Sequence, residues 1–317
     1  MLQNLYYSVA AVVPLFIMIL LGYGLRRAEF ASEVFFSTAS KIVFYVALPA
    51  SLFRSVIATD LAELWDLRFV IFIVVISVSA LALIWLGGII TIKDKALRGA
   101  FVQGAFRSNI AILGIPLMMN IAGEAGIARA ALIIIAVLPF YNIGSVLVLA
   151  VNNTSDKRIG FKDIIFTILK NPLIIGITSG ILLLLFDFSV PPLIESPINH
   201  LANMATPLAL IALGGGIRFA GFDKRFVYAF AASAVKVIIK PTVFVTVGYL
   251  FGFRGTDLAG LLMLGGTPSA IAGYITVTQM GGDKYTAGTI VLISTAMSAF
   301  TLTIFVYLLR SLGLMIL

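Results

Sequence analysis

The sequence holds no cysteine and a single histidine, His200, in 317 residues. The first absence excludes disulfides, thiolate nucleophiles and cysteine metal sites. The second excludes a histidine metal cluster or an HExxH motif, so no metal and no cofactor is expected. Charge is scarce as well: Asp, Glu, Lys and Arg make up 11% of the chain, where a soluble domain carries about 25%. Acids are the scarcer sign, 14 against 22 Lys and Arg, for a net charge of +8. A soluble fold of this size needs polar residues to cover its outside, and disorder needs low hydrophobicity. Both classes are excluded.

What the chain has is apolar surface, 61% of its residues, with a mean hydropathy of +1.10. Ten apolar segments run over roughly 5–25, 34–56, 67–90, 98–120, 126–150, 163–186, 193–217, 226–252, 256–280 and 285–312. Most are long enough to cross a hydrocarbon core of ~30 Å at 1.5 Å per residue. None alternates as a barrel strand does. The fold class expected is an all-α polytopic membrane protein with ten transmembrane helices. Residues 1–25 carry no Lys or Arg ahead of the apolar run, and Arg26 and Arg27 follow it. That order is a first span, where a signal peptide has its positive charge first.

Fourteen cations fall in alternate loops: Arg26, Arg27, Lys41, Lys93, Lys95, Arg98, Lys157, Arg158, Lys162, Lys170, Arg218, Lys224, Arg225 and Lys284. The opposite side has five, and Arg107, Lys236 and Lys240 lie inside spans. Cations in short loops stay inside, so both termini are expected outside the cytoplasmic (inner) membrane. The same distribution explains the basic charge as topology, and no nucleic-acid partner is expected. A hydrophilic loop from Asn152 to Asp163 separates five spans from five. An odd number inverts the second half. VALPASL (Val46 to Leu52) matches MATPLAL (Met204 to Leu210) 158 residues on, and SNIAILG (Ser108 to Gly114) matches TPSAIAG (Thr267 to Gly273) 159 residues on. The expected division is a repeat over 1–151, a cytoplasmic linker over 152–162 and an inverted repeat over 163–317.

Spans four and nine are the least regular. Arg107, Ser108, Asn109, Gly114 and Pro116 crowd one; Gly265, Gly266, Thr267, Pro268, Ser269 and Gly273 crowd the other. Proline and glycine weaken a helix, and freed backbone groups survive at membrane depth only inside protein or beside a water-filled cavity. Paired interruptions in two halves point to a transporter binding site; the plainer reading is two kinked helices packed through glycine. Pro49 and Pro207 read as scaffold kinks, and Gly176, Gly180 and Gly214 to Gly216 as helix packing. His200 is read as lying in an outer loop, without a role.

The intramembrane cations cost about 2.5–3.5 kcal/mol each at a helix centre. Lys236 and Lys240 share a face of span eight; Arg107 lies nearer its end, within reach of snorkelling. All 14 acids are in loops or at span ends, so these cations face carbonyls of broken helices, water or a bound anion. A substrate that is an organic carboxylate fits this balance. Arg107 and Asn109 would bind it, with Ser108, Thr267 and Ser269 supplying hydroxyls.

These strings also resemble the auxin efflux carrier family, which includes bacterial malonate-transporter-like proteins and plant PIN-type carriers. The resemblance rests on LPASLF at Pro49, RSNIAILGIPL at 107–117, KNPLIIGI at 170–177, TPLALIALGGGI at 206–217 and GGTPSAIAGYITVTQMGGDKYTAG at 265–288. It implies two inverted five-helix repeats, similar to bile-acid symporters and sodium/proton antiporters. Spans 1, 2, 6 and 7 would form a scaffold, and 3–5 and 8–10 a moving transport domain. By resemblance Asn109 contacts substrate, Pro116 and Pro268 mark the crossovers, and Gly273 stands where plant carriers have a second proline. A homodimer is implied too. The function expected is a secondary carrier of small carboxylates, working by elevator or rocking alternating access, with Lys240 and Lys236 in an electrostatic or coupling role. An anion channel or a transporter-derived receptor is the alternative. A membrane enzyme is not expected, since no acidic metal motif or Ser/His pair lies in the spans.

Overall fold

The computed structural model describes residues 2–57, 66–152, 170, 172–186, 188, 190–216 and 225–315. Every regular element among them is helical: α1 (Leu2–Arg27), α2 (Glu33–Ile42), α3 (Leu48–Ile57), α4 (Leu67–Thr91), α5 (Lys95–Phe106), α6 (Ile115–Asn152), α7 (Pro172–Leu185), α8 (Pro192–Gly216), α9 (Phe226–Ala234), α10 (Lys240–Leu250), α11 (Thr256–Gly266), α12 (Ile271–Gln279) and α13 (Lys284–Ser311). Five helical runs are long and apolar enough to cross a membrane: Glu33–Arg54, Leu67–Thr91, Ile110–Asn152, Phe226–Leu250 and Lys284–Ser311. α7 and α11 are shorter and also apolar. Large apolar side chains stand exposed along α4 and α13, among them Leu83, Ile90, Phe300 and Ile304, as lipid-facing surface requires.

The few acids are used at helix starts. Asp66, Asp94 and Asp283 accept from the backbone N–H of Phe69, Leu97 and Thr286 at 3.0, 3.2 and 2.9 Å. Each thereby satisfies an orphan donor and the positive end of its helix.

Wide π-turns join α2 to α3 (Val43–Ala47), open the run into α6 (Ile110–Gly114) and join α9 to α10 (Val235–Ile239). Pro49, Pro116 and Pro241 each follow two residues after one of these turns. A helical proline lacks an N–H and collides with the carbonyl four residues back; the widened turn stands at that place and absorbs both faults. Pro207, by contrast, sits inside the unbroken α8. α6 contains a second break, at Gly123 (φ 60, ψ −142), a backbone geometry that side chains disfavour.

α11 is the innermost rod, buried from Leu258 to Gly266 and packed by α6, α10 and α13. α1 packs on α8 and α3 on α7. A Cβ on Gly214 would lie 1.8 Å from the Ile19 carbonyl oxygen, and one on Gly176 2.6 Å from that of Pro49, so glycine permits both approaches.

Three expectations need correction or bounding. His200 is inside α8, in no loop; the polar run around it continues a helix that had already started at Pro192. Asn152 ends α6, its side chain buried against Arg98, and the rest of the expected linker falls in 153–169, outside the described residues, as does Asn171. Arg107 does not snorkel: it is 7% exposed and bonded to α6.

Candidate functional site at two interrupted helices

α5 stops at Phe106, and helical geometry resumes at Ile110. α11 stops at Gly266, and α12 begins at Ile271. The two interruptions meet antiparallel through a bridge between Ser108 and Ser269. The Asn109 N–H donates to the Pro268 carbonyl at 2.8 Å, and the Ala270 N–H to the Arg107 carbonyl at 3.3 Å. Backbone groups released by one break are thus taken up by the other, as burial demands. Ser269 N–H donates to Ser294 Oγ of α13 at 3.0 Å.

Two half-helices present their C-terminal carbonyls here, and a lysine meets each. Lys240 Nζ donates to the carbonyl of Phe106, to Ser108 Oγ at 3.1 Å and to Tyr141 OH at 3.4 Å. That employs all three ammonium donors. The charge also lies over the Phe244 and Tyr141 rings, at 5.2 and 5.6 Å from their centroids. Lys236 Nζ donates to the Gly265 carbonyl at 2.6 Å. A Cβ on Gly265 would stand 2.8 Å from Pro241 Cα, so its absence brings the end of α11 within reach of the lysine. Cations at helix C-termini oppose the negative end of the dipole.

Ser108 is committed to the same end. Its hydroxyl donates to the Leu264 carbonyl and accepts from Lys240 and Tyr141, its full capacity. Thr267, fully buried, donates to the Met263 carbonyl at 2.8 Å. The Ser108 hydroxyl thus ties the crossing to α6, α10 and α11, while that of Thr267 closes the last turn of α11; the sequence suggested ligand contacts for both.

Arg107 goes the other way. A Cβ on Gly273, in the first turn of α12, would lie 3.7 Å from Arg107 Cδ. Beyond that point Nη1 donates to Ser145 Oγ at 3.0 Å and Nη2 to Asn142 Oδ1 at 3.1 Å, both on α6. Ser145 also accepts from Gln103 Nε2 at 2.9 Å and donates to the Tyr141 carbonyl. All these partners are neutral. Among the described residues no carboxylate pairs with Arg107, Lys236 or Lys240. A helix N-terminus carries partial positive charge, so the arginine stem runs past the end that repels a cation.

Asn109 caps the turn opening toward α6, its Oδ1 accepting from the Ile112 N–H at 3.3 Å; the amide NH₂ is the donating half. The structure thus brings Arg107, Ser108, Asn109, Thr267, Pro268 and Ser269 together, with Gly273 beside them and Lys236 and Lys240 beneath. Gly114 and Pro116 lie further along, where a Cβ on Gly114 would touch Met263 at 2.9 Å. Gln103, Tyr141, Asn142, Ser145 and Ser294 were missed. The cluster Tyr141, Asn142, Ser145 inside an otherwise apolar span was the signal available for three of them.

A family model described as membrane transport protein matches residues 7–306. The chain belongs to this family, the auxin efflux carrier family. An uncharacterized transporter of Methanocaldococcus jannaschii is 26% identical over 311 residues, covering 94% of this chain and 97% of its own. A Rhizobium meliloti protein named "Putative malonate transporter" is 24% identical over 307 residues, 95% of each chain. An uncharacterized transporter of Escherichia coli K12 is 23% identical over 281 residues, covering 86% of this chain and 88% of its own. Family and relatives identify an integral membrane protein of the transporter class and point away from an enzyme.

Proposed function

We propose that this carrier moves small organic carboxylates across the cytoplasmic membrane, binding them at the crossing with Arg107 as the anchoring cation. One observation carries the reading: a buried guanidinium passes a helix N-terminus with only neutral partners. Such a charge is stabilised by an anion, and Arg pairs a carboxylate in two parallel hydrogen bonds. The Asn109 amide supplies a further donor. The malonate-named relative agrees in substrate class.

In this reading ten spans form two inverted five-helix repeats, with both termini outside. Helices of spans 1, 2, 6 and 7 are the scaffold, and those of 3–5 and 8–10 carry the crossing through an elevator or rocking motion. With no carboxylate at the site among the described residues, a carboxylate proton relay has no seat there.

The test is flux into proteoliposomes with acetate, malonate, succinate and malate under imposed pH, sodium and voltage gradients. Saturable uptake of at least one carboxylate is expected, at carrier-like turnover. Uptake of none, or unsaturable conductance, overturns the reading.

A further inference from the structure

Arg107 could have been held by an acid. The residue in that place is Asn142, whose Oδ1 stands 3.1 Å from Nη2. Asparagine and aspartate have the same shape and offer the same acceptor oxygen; they differ by one unit of charge. An aspartate there would give Arg107 a part-buried, charge-assisted partner, and the crossing would no longer favour an anion. Ser145, the second acceptor at 3.0 Å, is neutral as well and is filled by Gln103 and its own donation to Tyr141.

We propose that Asn142 sets the sign of charge this site accepts: it fixes the Arg107 guanidinium in place while leaving its positive charge uncancelled for the ligand. The inference rests on the proposed carrier function and adds to it a selectivity residue that no motif marks. Asn142 acts through Arg107, so it is a positioning residue. Nothing requires it to touch substrate.

The prediction separates charge from geometry. If Asn142 only orients Arg107, Asn142→Ala is the damaging change, because the hydrogen bond is lost, and Asn142→Asp is mild. If Asn142 preserves the charge, the order reverses. Asn142→Ala keeps the cation, and its KM rises a fewfold. Asn142→Asp cancels the cation and raises KM about thirtyfold or more, the scale of removing one partner from a buried charge pair. Folding gives a readout of opposite sign: Asn142→Asp in detergent is expected to melt at or above the wild-type temperature, since a buried charge acquires a partner.

The experiment uses the full chain, purified and reconstituted, with radiolabelled malonate, succinate, malate and acetate as probes. KM and maximal rate are measured for wild type, Asn142→Ala and Asn142→Asp, with melting curves in the presence and absence of 10-fold steps of each anion. Support is a reversed order, Asp far worse than Ala in KM, together with an unlowered melting temperature and loss of anion-induced stabilisation in the Asp variant. An Asp variant that keeps the wild-type KM, or one that fails only because it melts low, overturns the inference and leaves the carrier reading standing. A wild type that transports none of the probes overturns the carrier reading itself.

Discussion

The two faces of the crossing use the same sign of charge to opposite ends. On one, Lys236 and Lys240 meet the C-terminal carbonyls of α11 and α5, and every donor of Lys240 is employed. On the other, Arg107 runs past the N-terminal turn of α12 with neutral acceptors only. Burial is similar for all three residues. What differs is the helix end each one meets. A cation against carbonyl oxygens meets the helix end that favours it, whereas a cation at an N-terminus meets the end that does not. The sequence assigns Arg107 a substrate contact and the lysines an electrostatic or coupling role; what the geometry adds is the helix end that each one meets.

The contrast is broken most directly at Arg107. Arg107→Ala is expected to lower kcat/KM for carboxylate uptake by about thirtyfold to several thousandfold, the range for deleting one side of a buried charge pair, with an unchanged or raised melting temperature. Retained uptake in this variant, with loss in the lysine variants, would invert the assignment. Next come the lysines. Lys240→Met strands the Phe106 carbonyl and is expected to destabilise by about 2–3 kcal/mol, and Lys236→Met by about 1–2 kcal/mol, read by chemical or thermal denaturation. Their effect on KM should be well below that of Arg107→Ala. Smaller again is Gly273→Ala. The added methyl would sit 3.3 Å from Gln103 Nε2 and in ordinary contact, 3.7 Å, with Arg107 Cδ; a fewfold rise in KM with an intact fold is expected as Gln103 shifts on the Ser145 hydroxyl it shares with the guanidinium. The smallest effect belongs to a charged contact away from both faces. Glu124 pairs with Arg54 at 3.1 Å and is half exposed, and exposed pairs contribute about 0–1 kcal/mol, so Glu124→Gln should leave uptake within about fivefold of wild type.

Much of this was legible from residues alone. Apolar runs located the helices, and the Gly/Pro clusters at 107–116 and 265–273 marked where helices stop. The absence of acids inside the spans showed that the cations had no carboxylate to pair with. The partners themselves were not legible. Phe106 and Gly265 act through backbone carbonyls, which every residue has, so no side chain advertises them. Asn142 and Ser145 lie 35 and 38 residues from Arg107, and only folding brings α6 alongside. The hydroxyls of Ser108 and Thr267 were placed at the breaks, but the carbonyls they donate to were not legible, because composition does not say which way a hydroxyl turns. His200 was misplaced in a loop, although it falls within the apolar segment at 193–217 that forms α8 from Pro192 on.

The bridge between Ser108 and Ser269 has a mechanical consequence. With Asn109 tied to Pro268 and Ala270 to Arg107, the four half-rods are riveted at one point. Pushing any of them pulls on the other three, and in the proposed carrier the crossing would travel as a single casting.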